Sequence, residues 1–314
     1  MHGLREFEGA DHLIVHSAQS LVAVDWPILQ HAPDSLTLEL GPPGLGKVLA
    51  TNVTLDSAWV VEPKSKRILL AREGEFDSID PGGRVANQKI KVTGLPRGAF
   101  ASSVNPDGVH VLLVVTRVIN PDFANFAVVM ADLTTGQLIR EATIGAGVDL
   151  ELLWDAPFRT WVIGDTSRGG LWRWDGQKPA LRLAAPQGTP VHAATFASSP
   201  EGVMVSALFT EKTGATGLVT GRAELDRVIW TPPVVLPGLP VLVARRHPTL
   251  ARWACLAQEG TRQQVQVRDT AGKVLAETDV RPGVYLDNLL WSTFSSNLLW
   301  CSGIRALATA TLSE

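Results

Sequence analysis

Short runs rich in Val, Leu, Ile and Ala alternate along this chain with turn-forming clusters of Pro, Gly, Asn and Asp. The segment Ala101–Thr116 shows the plan. Asn105-Pro-Asp-Gly108 is turn chemistry, with proline presetting φ and glycine supplying a positive one. The following run, Val109–Val115, is largely β-branched and apolar, as expected of a strand buried on both faces. Ser199-Pro-Glu-Gly202 followed by Val203–Leu208 repeats it. Five such turns carry a proline, at Pro63, Pro106, Pro157, Pro200 and Pro248, with spacings of 43, 51, 43 and 48 residues. Extending the ladder forward reaches Phe294, and backward Ser17, which makes seven turns.

Each turn joins a first strand to a second. Tryptophan keeps the same phase: Trp59, Trp154 and Trp291 fall just before a turn, Trp161, Trp253 and Trp300 just after one, and Phe196 takes the earlier place in its unit. A second hairpin follows in several units, at Asp132–Gln137, Trp174–Gln177 and Asp269–Lys273, so four strands per unit is the natural count. A strand-built period of about 40–50 residues is the pattern of β-propeller blades. The expectation is one all-β domain over residues 1–314, a seven-bladed β-propeller with four-stranded blades; six or eight blades are the alternatives. After the turn near Phe294 only Leu298–Ser302 and Arg305–Leu312 fit as strands. The N-terminal segment around Leu4–Phe7 is therefore expected to complete the last blade, which would remove an exposed edge.

The Asn105–Gly108 turn and the Asp-x-x-Thr-Gly hairpin at Asp132–Gly136 resemble repeats of WD-type and quinoprotein-type bacterial β-propellers. The Trp-Asp pair that closes a WD repeat is not repeated; Trp174-Asp175 is one instance. The resemblance implies a propeller fold and no particular activity. A quinone cofactor, which the quinoprotein side of the resemblance would bring, is not expected, because those enzymes are exported.

Composition narrows the function classes. Net charge is −3, from 28 basic and 31 acidic residues, and no Lys/Arg run exists to track a phosphate backbone, so no nucleic-acid partner is expected. No apolar run reaches the roughly 18 residues of a membrane helix, so no membrane partner is expected either. The start, Met1–Asp11, has acids where an export signal needs a basic and then an apolar stretch, so a cytoplasmic location is expected. Cys255 and Cys301 are too few for a disulfide framework and are expected to be small buried thiols on related second strands.

Candidate chemistry is sparse. Gly41-Pro-Pro-Gly-Leu-Gly-Lys47 matches part of a phosphate-binding loop, but Val48 stands where Ser or Thr would hold magnesium. The β-branched residues that follow are a poor helix start, so the segment is expected to connect the first two blades. His12 and His16 would lie about 13 Å apart on one strand face, too far to chelate one ion. No metal, cofactor or catalytic residue is expected. An alternative reading, a small-molecule or lactone hydrolase with an axial site able to hold one divalent metal, would draw on Glu62, Asn105, Asp155 and Asn288.

The connections between second and third strands (B–C) are longer and more varied than the Pro/Gly hairpins, and lie at the opposite end of the blades. The longest is expected over Ala71–Ala86. These connections carry Arg72, Phe76, Asp77, Asp80, Arg84, Arg117, Asp122, Phe123, Asp165, Arg168 and Arg262. Mixed charge with exposed apolar residues suits a protein-binding face. The expectation is a non-catalytic scaffold, monomeric by itself, that binds another protein through its B–C and D–A loops.

Overall fold

The computed structural model describes most side chains between Val60 and Cys301; elsewhere, and in 99–104 and 116–125, it describes backbone strands only. Among the described residues the regular elements are β-strands, and they form seven antiparallel sheets. The first sheet contains β1 (Leu4–Glu6) and β2 (His12–Ser17); β3 (Leu21–Val22) and β4 (Ile28–Leu29) then depart, and β5 (Leu36–Leu40) and β6 (Lys47–Val53) return to it. The second is β7 (Trp59–Val61), β8 (Ile68–Arg72), β9 (Glu75–Ile79) and β10 (Gln88–Lys91). The third is β11 (Ala99–Val104), β12 (His110–Asn120), β13 (Phe123–Asp132) and β14 (Gln137–Gly145). The fourth is β15 (Leu150–Asp155), β16 (Thr160–Asp165), β17 (Leu171–Trp174) and β18 (Leu181–Arg182). The fifth is β19 (Val191–Ser199), β20 (Gly202–Thr210), β21 (Thr216–Ala223) and β22 (Val228–Trp230), with β23 (Val234–Leu236) also paired to β21. The sixth is β24 (Val241–Arg246), β25 (Arg252–Glu259), β26 (Arg262–Asp269) and β27 (Val274–Asp279). The seventh is β28 (Asn288–Trp291), β29 (Leu298–Gly303) and β30 (Ala306–Thr311), extended by β4 and β3.

Pro63, Pro106, Pro157, Pro200, Pro248 and Phe294 each fall, in sequence, between the first and second strands of their sheets; Pro63, Pro106, Pro248 and 292–297 are themselves outside the described residues. The tryptophan phases hold too: Trp59, Trp154 and Trp291 lie on first strands, Trp161, Trp253 and Trp300 on second strands. The second hairpins share one device. Asp132 Oδ1 accepts from the Thr134 and Thr135 amides, Asp175 Oδ1 from Gln177 and Lys178, and Asp269 Oδ1 from Ala271 and Lys273. Each of these turns also holds a glycine at positive φ: Gly136, Gly176 and Gly272.

The N-terminal part differs from expectation. Ser17 ends β2 and is not the centre of a turn between paired strands. Leu4–Glu6 pairs with His12–Ser17 in the first sheet and does not complete the last one. The strand that reaches the seventh sheet is β4, through Ile28 opposite Ala306. Chain separation supplies the reason: only residues 7–11 lie between β1 and β2, so their pairing costs little loop-closure entropy. Gly41–Gly46 falls outside the described residues, but its flanks, β5 and β6, pair with each other, Leu40 opposite Lys47. The segment thus joins two strands of one sheet and does not lead to the second, and Lys47 opens a strand rather than a helix.

Strand alternation builds the core. On β12, Val111, Leu113 and Val115 pack with Val60, Leu69, Ala71 and Phe76 of the second sheet. Leu112 and Val114 point the other way, to Ile163, Trp172 and Trp174 of the fourth. On β25, Ala254 and Leu256 face Leu289 and Leu299 of the seventh sheet, whereas Trp253, Cys255 and Ala257 face Leu208 and Leu218 of the fifth. Each such second strand is a two-sided wall between neighbours, which explains its near-continuous apolar sequence. Full burial of one large apolar side chain contributes about 1.5–3 kcal/mol. Side chains of first strands interlock the sheets: Phe196 of the fifth fills the space over Gly164 of the fourth, and Trp291 Nε1 of the seventh donates to the Arg245 carbonyl of the sixth at 3.0 Å. First strands also pack in succession, β7 on β11, β11 on β15, β15 on β19, β19 on β24 and β24 on β28.

Candidate functional site

The structure redistributes the residues expected on the B–C binding face. Glu75-Phe-Asp-Ser-Ile79 is a strand, not a loop, so only residues 73–74 separate the second and third strands of the second sheet. Its alternation turns Phe76 inward, where it is fully buried with Val111 and Leu113 and is not available to a partner. Arg72, at this end, pairs with Asp77 of β9, Nε to Oδ2 at 3.1 Å. Asp80 lies past the far end of β9, beside the A–B turn, and its Oδ2 accepts from the Val85 amide at 2.7 Å. Arg67 of that turn holds the same segment, donating to the Ser78 and Ala86 carbonyls. The long connection is therefore between the third and fourth strands, at the end opposite the expected one. Arg84 within it is outside the described residues.

Asp165 is also not on an exposed rim. It ends β16, its amide donates to the Gly170 carbonyl at 2.8 Å, and it is 1% exposed. Arg168 is outside the described residues. Arg262 is exposed at the B–C end of the sixth sheet and donates to Asp279 Oδ1 at 3.0 Å.

The third sheet supplies the most distinctive feature of this end. The β12–β13 hairpin pairs from His110 opposite Asp132 up to Asn120 opposite Phe123. Among the described residues β11 pairs with β12 up to Val115 and β14 with β13 up to Phe126; residues 96–98, before β11, and 146–149, after β14, are outside them. Among the described residues 116–120 and 123–125 pair with each other alone, as the β12–β13 extension at this end. Arg117 and Phe123 lie on it, and Asp122 falls between its strands in sequence.

The acids and amides of the hydrolase alternative each have partners of their own. Glu62 Oε2 accepts from the Ser65 amide in its own turn at 2.6 Å, and Asn105 Oδ1 from the Asp107 amide at 3.2 Å. Asp155 is buried against Arg173, Nη2 to Oδ2 at 2.8 Å, while Arg173 Nη1 donates to Thr160 Oγ1. These three residues occupy corresponding places where A–B hairpins close, in three different sheets. Asn288 sits at the start of β28 and accepts from Arg245 Nη2 at 3.0 Å. Among the described residues no group of three His, Cys, Asp or Glu side chains is placed to hold a metal ion.

Cys255 and Cys301 lie on the second strands of the sixth and seventh sheets, both fully buried and free. Burial pushes each thiol up to about 12.

A feature that the sequence reading missed lies at the opposite end. A cleft of about 900 Å³ opens between the A–B hairpins of the third and fourth sheets and the C–D hairpin of the fourth. Trp154, half-buried, lies edge-on to Trp161 at 4.7 Å in its wall. Arg140 and Arg159 line it with exposed side chains. Burial works against ionisation of Asp107, but the Val109 amide and the His110 side chain and amide more than offset it, so its pKa lies below the ordinary value. The Lys178 and Gln177 amides lower that of Asp175. A signal for the cleft was present in Trp154, Trp161 and Trp174, which strand register brings side by side.

No family model matches the chain, and no curated protein matches its sequence. Solved structures do match its fold. The C-terminal WD40 domain of Sif2 is 10% identical, with 99% of this chain and 84% of that one covered at a TM-score of 0.55. Kuenenia stuttgartiensis hydrazine synthase is 13% identical, with 78% and 72% covered at 0.53. TolB from Acinetobacter baumannii is 16% identical, with 80% and 62% covered at 0.45. The first two carry the assignment: the fold is WD40-like and of β-propeller type. Among the described residues no helix is long and apolar enough to cross a membrane.

Proposed function

We propose that this chain is a non-catalytic scaffold that binds another protein, built as a seven-bladed propeller. Two observations support the architecture: first strands pack in succession from the second sheet to the seventh, and Ile28 of the N-terminal part pairs with Ala306. In this reading β4 and β3 complete the last blade and close the ring.

The observation that carries the functional reading is the β12–β13 extension. A long hairpin at the loop end of its sheet presents its tip to a partner. Its sequence brings Arg117, Asp122 and Phe123 to that tip, residue types suited to a contact of mixed charge around an aromatic anchor. Arg72, Asp77 and Arg262 serve the same end as a rim, since their charges are already paired within the chain. A cytoplasmic location is part of the proposal and is supported by the two free, buried thiols.

The test is to shorten the hairpin, replacing 117–125 by Asn-Gly, and to compare the proteins that copurify with the two chains from the native cell. Thr116 and Phe126 already pair, so a two-residue turn closes the shortened hairpin. A partner retained by the parent and lost by the shortened chain, at unchanged melting temperature, is expected. Retention of every partner contradicts the proposal.

A further inference from the structure

We propose that the cleft between the third and fourth sheets binds an organic carboxylate carried on a planar apolar body. The inference is independent of the scaffold reading, because the cleft lies at the opposite end of the sheets from the β12–β13 extension. At about 900 Å³ it is within the size range of small-molecule sites.

The polar groups of the cleft are unevenly committed. Asp107 Oδ1 accepts from the Val109 amide at 2.7 Å, and its Oδ2 meets His110 Nδ1 at 2.8 Å. Asp175 Oδ1 caps its own turn through Gln177 and Lys178. Both acids are therefore occupied by local structure and stay ionised. The donors are not so occupied. Arg140 gives one N–H to the Ile139 carbonyl, and the Arg159 guanidinium has no partner among the described residues. Trp161, 2% exposed, lines the cleft with a buried indole N–H that meets no acceptor among the described residues. A buried donor left unpaired is uncommon and calls for a missing acceptor. Arg159 is also the one non-glycine residue at positive φ among those described, at 54°. Strained backbone of this kind recurs at ligand sites.

Guanidinium matches a carboxylate by paired N–H donors. The Trp154 ring provides an aromatic surface for a flat body in the same cleft, held edge-on by Trp161. Charge decides between anions. The charges of the two arginines and the two ionised aspartates balance, so the discrimination is by repulsion: Asp107 and Asp175 oppose a doubly charged phosphate more than a singly charged carboxylate. The site as built suits a monoanion with an apolar body.

The experiment follows the indole N–H resonances of the full chain, labelled with nitrogen-15 in tryptophan, during titration with indole-3-acetate. The Trp154 and Trp161 signals are assigned by their loss in Trp154→Phe and Trp161→Phe. Saturable shifts at Trp154 or Trp161 with a Kd tighter than about 1 mM are expected. The neutral isostere indole-3-acetamide should bind at least about tenfold more weakly, since charge-assisted hydrogen bonds are lost. Arg159→Gln should remove that preference while the other indole signals stay in place; Arg140→Gln serves if Arg159→Gln does not fold. No saturable shift, equal binding of the amide, or the same shifts with inorganic phosphate alone would overturn the proposal.

Discussion

Arg245 on the first strand of the sixth sheet forms a two-pronged ion pair with Glu151 on the first strand of the fourth, 94 residues earlier in sequence. Nη1 donates to Oε2 at 3.0 Å, the second prong joins Nη2 to Oε1, and Nη2 also donates to Asn288 of the seventh sheet. The contact skips the fifth sheet, so it ties together units that are not neighbours in sequence. The arginine is 13% and the glutamate 31% exposed, which limits solvent screening without removing it. Glu151→Gln or Arg245→Met should each cost about 2 kcal/mol. The double variant should cost less than the sum, with a coupling of about 1 kcal/mol read by urea unfolding.

The Asp155–Arg173 pair is buried more deeply, at 0% and 3% exposure. Removing one partner leaves a charge without its counter-ion inside the protein. Asp155→Leu should therefore destabilise by about 3–5 kcal/mol. Asp155→Leu combined with Arg173→Met should recover much of that loss in a thermal melt. Equal stability of the single and double variants would show that the ion pair is not what the site needs.

Gly164 tests the packing between the fourth and fifth sheets. A Cβ at this position would stand 1.8 Å from the Phe196 ring. Gly164→Ala should cost about 1–3 kcal/mol through overpacking, measured by urea unfolding. Adding Phe196→Leu should restore part of it, since the clash is with the ring and not with backbone.

The two thiols set a limit at alkaline pH. Their folded pKa lies near 12, above the ordinary value of 9.0, because burial disfavours the thiolate. Below that ordinary value both states carry the thiol and folding is indifferent to it. As pH rises from there toward 12 the unfolded chain loses protons that the folded chain keeps, so stability falls. Cys255→Ala with Cys301→Ala should flatten the pH dependence in this window, measured by urea unfolding. A thiol reagent at neutral pH should react with the native protein only as fast as it unfolds.

How far the sequence predicts the molecule depends on whether a feature is local. The turns at Pro63, Pro106, Pro157, Pro200 and Pro248 are set by residues within a few positions of each other, and all five fall where expected. The tryptophan phases follow because these positions recur at the same places relative to the local turns. The N-terminal arrangement does not follow, since the choice between Leu4–Glu6 and Ile28–Leu29 as partner of the last sheet is a contest between distant pairings. At the candidate site, charge on an expected loop was a poor guide. Glu75-Phe-Asp77 alternates polar, apolar, polar, and the burial follows, with Phe76 inside and Glu75 and Asp77 partly exposed, although Ile79 at the strand end breaks the period. Asp165 looks like any loop acid by type; only its place at the end of a buried strand sets it apart. The cleft depends on register across two sheets, so no single segment reveals it.

The scaffold reading rests on the β12–β13 extension. Its most direct measurement replaces Phe123 by a photo-crosslinking phenylalanine analogue in the native cell, with the same analogue at exposed Leu225 as the control. The account predicts a discrete crosslinked protein from position 123, absent at 225 and lost when Arg117 is changed to Glu. Crosslinking that is equal at the two positions, or absent from 123, would contradict it.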